Sequence, residues 1–219
     1  MDSILLRART SLITLFNVFP LIMASFIGFL AVGLGNLGLF ILFIGQIVLV
    51  PIAVGLVHVI IDFMYSTNPE ALRAFYKTSY AVTGDSTALD SNVTPSYWIT
   101  QTLFLFGYMI ANAVAITALP VDRSVDPVLV SNRNSRSYTI IVTSVIFALF
   151  AIALRWNTGG ETMYGVIAGV TIGFGLGYGW YQFAATCGTR AADVFGIAQQ
   201  IIPSSKNQKP MTCVYNPRP

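Results

Sequence analysis

Thr10–Ile61, TSLITLFNVFPLIMASFIGFLAVGLGNLGLFILFIGQIVLVPIAVGLVHVII, contains no Lys, Arg, Asp or Glu. As a single helix it would run about 78 Å, at about 1.5 Å per residue, against about 30 Å for the hydrocarbon core of a bilayer. The stretch must therefore double back. Gly33-Leu34-Gly35-Asn36-Leu37-Gly38 supplies the turn, because glycine and asparagine accept positive φ at little cost. The pattern predicts one span near 11–33 and a second near 38–61, with Pro20 and Pro51 inside them as kinks.

Other parts of the chain repeat the message. No charged residue stands between Asp90 and Asp122, Arg136 and Arg155, or Glu161 and Arg190. Charged residues are 10% of the 219 and hydrophobic ones 55%; an ordinary soluble domain carries roughly 25% charge to cover its surface. A charge at mid-bilayer costs about 2.5–3.5 kcal/mol, so lipid selects for such blocks. The expected fold class is an all-α integral membrane protein with about five transmembrane helices and short interfacial helices.

Three spans follow the first pair. One covers 96–119, bracketed by Pro95 and Pro120, with Tyr97 and Trp98 as interfacial anchors. A loop holding Asp122, Arg123, Asp126, Arg133 and Arg136 leads to the shortest span, Ser137 to Leu154, closed by Arg155-Trp156. Asn157-Thr158-Gly159-Gly160 then turns the chain into a fifth span over 162–185.

The domain layout is a helical bundle over 1–186, interrupted by a polar loop at 62–94, and a cytoplasmic-type segment over 187–219. Within the loop, Asn68-Pro69-Glu70 has the form of a helix start, continuing as an interfacial helix to about Tyr76, and 84–87 reads as loop. Past the fifth span, Val194, Phe195, Ala198, Ile201 and Ile202 share a helical face, so an amphipathic surface helix is expected before the proline-rich tail. A cleaved signal peptide is not expected, since the first apolar run is as long as a full span. Basic residues favour the C-terminal face as cytoplasmic: Arg123, Arg133, Arg136, Arg190, Lys206, Lys209 and Arg218 against Arg7, Arg9, Arg73, Lys77 and Arg155. The sequon Asn92-Val93-Thr94 then lies on the opposite side, with Pro95 directly after it.

The most specific pattern is in the fifth span. Gly165, Gly169, Gly173 and Gly177 recur every four residues, a smooth stripe that lets another backbone approach closely. Packing within the molecule, self-association between subunits, and a glycine-lined pore all remain open readings. His58 and Asp62 stand one turn apart at the end of the second span, either as a boundary pair or as part of a proton relay or metal site. Asn17, Gln46, Gln101 and Asn112 are neutral polar residues within spans, suited to interhelical hydrogen bonds or to a substrate path. Cys187 and Cys213 form no metal-ligand spacing; they read as two free thiols, with a disulfide geometrically open.

HExxH, CxxC, P-loop and GxSxG motifs are absent from the sequence, as is any paired-carboxylate arrangement, so no enzyme, no cofactor and no metal centre is expected. A net charge of +3, scattered along the chain, argues against nucleic acid as a partner. The expected partners are the lipid bilayer and either further copies or other membrane proteins. The expected role is structural and non-enzymatic, packing laterally in the membrane; the alternative is a small channel or transporter using His58 and Asp62.

One resemblance concerns the last part of the chain. The run Gly173-Phe174-Gly175-Leu176-Gly177-Tyr178-Gly179-Trp180-Tyr181, then Asp193-Val194-Phe195-Gly196, then Lys209-Pro210-Met211-Thr212-Cys213-Val214-Tyr215, resembles the C-terminal region of small membrane proteins of nucleocytoplasmic large DNA viruses, algal viruses especially. The resemblance implies a multi-pass protein of a virion internal membrane or host endomembrane, in contact with capsid proteins. It carries no catalytic residues over to this chain.

Overall fold

The computed structural model describes residues 18–67, 95–120, 127–157, 163–188 and 192–197. It is all-helical, with no strand among those residues. In order come α1 (Phe19–Leu34), α2 (Leu37–Ile44), a π-helical turn (Gly45–Leu49), α3 (Val50–Thr67), α4 (Tyr97–Ala118), α5 (Pro127–Asn157) and α6 (Met163–Thr186). Because α2, the π turn and α3 are continuous, they act as one rod.

The first reversal lies inside the predicted glycine-rich stretch. Gly35 takes φ 60 and ends α1, with its N–H on Val32 O and the Asn36 N–H on Ala31 O. That pair of bonds is the Schellman closure, and it needs the left-handed residue that glycine provides. Asn36 then starts α2, its Oδ1 accepting the Leu39 N–H at 3.1 Å.

Both prolines lie within helices, and neither ends one. Pro20 sits in the first turn of α1, where a missing N–H costs nothing. Pro51 stands past the π turn with one residue between, in the first turn of α3. Its ring crowds the Ile47 carbonyl and it has no N–H to donate. The wider turn precedes it, closed by the Val50 N–H on Gly45 O.

Three helices among the described residues are long and apolar enough to cross a membrane: Leu37–Ile61, Tyr97–Ala118 and Pro127–Trp156. α1 is apolar but has only 16 residues, and the glycine-rich α6 falls outside the three. α4 is the central helix. Its apolar stretch is 72% buried, against 28% for the α2–α3 rod and 22% for α5. α6 and α5 flank α4, and the α1–α3 arm closes the bundle, with Leu42, Val50 and Val54 reaching the core shared with Phe104, Tyr108 and Tyr181.

The predicted shortest span belongs to the longest helix. α5 has 31 residues and begins at Pro127, so Arg133 and Arg136 lie in a helix and not in a loop. Charge marks where a lipid-facing stretch ends, but a helix passes through it when the side chains find partners. Arg133 does: Nη1 donates to Leu119 O at 3.2 Å and Nε to Asn134 Oδ1 at 3.1 Å, placing a cation on the C-terminal carbonyls of α4.

Of the segment expected to form a surface helix after α6, only 192–197 are described. Ala192 is helical, residues 194–197 make bends and a turn, Gly196 takes φ 65, and Val194 is buried in the core instead of lying on a surface. Ala198, Ile201 and Ile202 lie outside the described residues, as do the helix start at Asn68, Asn92, the turn at 158–160, the tail beyond Pro203 and Cys213.

Candidate functional site

The glycine stripe is a contact with α4. All four glycines are buried. The Gly165 carbonyl accepts the Ser96 N–H at 3.4 Å. A Cβ on Gly169 would lie 3.1 Å from the Ile99 side chain, one on Gly173 would overlap Thr100 O, and one on Gly177 would overlap Phe104 O. From the other side, a Cβ on Gly107 would come within 2.7 Å of Phe174 O. The partners advance along α4 as the glycines advance along α6, so the two helices run parallel with matched pitch. Gly175 and Gly179 face open space. The stripe is thus covered within the molecule.

A second feature is a buried polar knot at the end of the bundle where α1 stops and α6 leaves off. Tyr108 Oη and Asn112 Nδ2, both from α4, donate to Ala192 O at 3.3 and 3.4 Å. Asn36 Nδ2 donates to Val194 O at 3.2 Å, using the half of its amide that does not cap α2. Asp193, only 1% exposed, accepts the Phe195 N–H at 3.1 Å. Tyr181 meets Tyr108 edge-to-face, ring centroids 5.4 Å apart. Gly38 leaves room for the Asp193 backbone, which would lie 2.8 Å from a Cβ there. One turn further down, Trp180 Nε1 donates to Ile41 O at 2.9 Å, and its indole and Phe104 fill the space above Gly45.

At the opposite end, Arg155 in the last turn of α5 lies over Trp98, 5.6 Å from the ring centroid, and is buried by it. Phe19 meets the same indole, with ring centroids 6.2 Å apart.

The pairing of His58 with Asp62 is only half visible. His58 is half-buried on α3, and Asp62 follows on that helix with its side chain outside the described residues. Gln46 and Asn112 are buried, with Gln46 Oε1 and Asn112 Oδ1 meeting no donor among the described residues. Gln101 and Thr100 are buried on α4 as well. Cys187 is exposed just past α6. Among the described residues no group of three His, Cys, Asp or Glu side chains could hold a metal.

Sequence reasoning missed Asp193, Tyr108 and Tyr181 as partners. The available signal was a lone carboxylate inside the apolar run Ala191-Ala192-Asp193-Val194-Phe195. A shallow groove of about 630 Å³ runs along α5 between Ser131 and Thr143. There Thr139 returns its hydroxyl to Ser135 O at 2.9 Å. No protein-family model matches the chain, and no curated protein or solved structure proves similar to it.

Proposed function

We propose that this chain is a non-enzymatic, multi-pass scaffold protein of a membrane, crossing it about five times. The observation that carries the proposal is the inverted distribution of side chains. The outward faces of α1, α3 and α5 present Phe26, Phe29, Val32, Leu56, Val59, Phe63, Ile146, Leu149 and Phe150. Thr100, Gln101, Thr102 and Asn112 are instead enclosed at the centre. A water-soluble bundle has the opposite arrangement. Exposed Thr139 and Thr171 bond their hydroxyls to carbonyls four residues back, the economy that a solvent without hydrogen-bonding groups imposes.

With the glycine stripe occupied by α4, lateral partners are met by the outer faces of α1, α3 and α5. The resemblance of the C-terminal runs supports an internal virion membrane as the location, and proteomics of purified virions tests it.

Membranes extracted with alkaline carbonate should retain the protein. In a Cys213→Ser background, Cys187 and an introduced Trp156→Cys should react with an impermeant maleimide from opposite faces. Labelling from one face would overturn the crossing count. Proton or ion flux through reconstituted liposomes, abolished by Asp62→Asn, would replace the scaffold with the transport alternative.

A further inference from the structure

We infer that the groove along α5 seats one membrane phospholipid, its phosphate at the Ser131 end and an acyl chain running on past Val142. The inference rests on the membrane reading proposed above. At about 630 Å³ the groove falls within the about 300–1,000 Å³ of ordinary ligand sites. Ser131, Ser135, Tyr138 and Val142 on its walls are exposed. Ser137, Ser144 and Ala148 stand on the opposite side of the helix and are buried, Ala148 in one cluster with Leu103 of α4. The groove is therefore on the side of α5 turned away from α4.

Its depth follows from Arg133, whose Nη1 reaches the carbonyl of Leu119, the residue that caps α4. The Ser131 end is thus level with the end of the central helix. Val142 lies about 16 Å further in, at about 1.5 Å per residue. Beyond it the same side of α5 exposes Ile146 and Leu149, hydrocarbon with nothing to hydrogen-bond.

The chemistry of the walls changes in the same direction. Phosphate and ester oxygens accept hydrogen bonds, and the Ser131 end offers donors. These are the hydroxyls of Ser131 and Ser135, the phenol of Tyr138, and the amide nitrogen of Asn134, whose Oδ1 is already taken by Arg133 Nε. Bonds from such donors to an ionised phosphate are of the stronger, charge-assisted kind. Thr139 turns its hydroxyl back to Ser135 O at 2.9 Å, which withdraws a donor just where the apolar stretch begins. A headgroup at one end and a chain at the other match that order.

The test is native mass spectrometry of the full chain, delipidated in detergent and titrated with phosphatidylglycerol. A second titration uses the diacylglycerol of the same chains, which lacks the phosphate. One phosphatidylglycerol should stay bound per chain, and the diacylglycerol should bind about tenfold more weakly. Ser131→Ala together with Ser135→Ala should weaken phosphatidylglycerol about tenfold as well. Alanine is the best helix former, so folding is not at stake in that variant. Thr171→Ala, on an exposed side of α6, should leave the affinity unchanged.

Equal binding of the two lipids would overturn the inference. So would an affinity untouched by the double substitution, or a loss shared by Thr171→Ala. A groove filled by a second copy would show instead as a lipid-free dimer that the double substitution dissociates, and this too overturns it. A chain released by alkaline carbonate removes the membrane reading and this inference together; a chain retained there that binds no lipid removes the inference alone.

Discussion

The central helix α4 meets α6 through glycine, whereas the α1–α3 arm is held to the rest of the bundle by rings and amides. The first contact is backbone on backbone, with Thr100 O and Phe104 O lying where glycine side chains would otherwise be. No single bond defines it, and its strength is the close approach repeated turn after turn. The second contact is local and chemical. Trp180 bonds Ile41 O, Phe104 and Trp180 cover Gly45, and Asn36 reaches Val194. A repeated contact is sensitive to added bulk anywhere along it. A local one fails only when particular groups are removed.

The sharpest way to break this contrast is to add bulk on the stripe. Gly177→Leu should cost about 3 kcal/mol or more, because the obstacle is the α4 backbone and cannot swing aside. Denaturant titration in detergent followed by circular dichroism would show it. The same leucine at Gly179, which faces open space, should stay within about 0.5 kcal/mol. Equal losses at both positions would mean that the two faces of α6 are not distinct.

Removing Arg133 tests a contact that is neither stripe nor arm. Arg133→Met keeps the stem and deletes the charge-assisted bond to Leu119 O, with an expected loss of about 2 kcal/mol in the same titration. Against the arm, Trp180→Phe deletes the bond to Ile41 O and trims the ring that covers Gly45, and should cost about 1–2 kcal/mol. Its clearest readout is faster amide exchange around Gly45, with the α4–α6 pair unchanged.

One substitution should have the opposite sign. Gly175→Ala adds a methyl group into open space on a helix and should stabilise by about 0.5–1 kcal/mol. A loss there would place an unseen partner on the outer face of α6.

These two interfaces also explain what the sequence could disclose. The every-fourth-residue glycines form a pattern, and a pattern survives in one dimension; its partner helix does not, because α4 carries no matching repeat. Helix limits were readable where punctuation is chemical. The Ser96 cap and the Gly35-Asn36 turn fall within the segments predicted for them. They were unreadable at α5, where Arg133 resembles the end of a span until Leu119 O is seen beside it. The polar knot was hidden for another reason. It joins Asn36 to Val194 across 158 positions, and each side chain has an adequate local explanation alone. In the described part of the segment expected to form a surface helix, Val194 is buried and Gly196 takes φ 65, and neither feature can be read from the spacing of its apolar residues.

The parallel contact between α4 and α6 has a consequence for biogenesis. Two neighbouring helices can be parallel only if the chain between them returns, so α5 must be made before α6 can reach its seat. During synthesis α4 therefore waits with Thr100, Gln101 and Asn112 uncovered, although these side chains are enclosed at the end. α6, broken up by glycine, gains little by entering lipid on its own. In a bilayer both segments would gain by entering together, each supplying the surface the other lacks. Bulk on the stripe would then show first as poor insertion and rapid degradation of the newly made chain, before any mature protein exists to be unfolded.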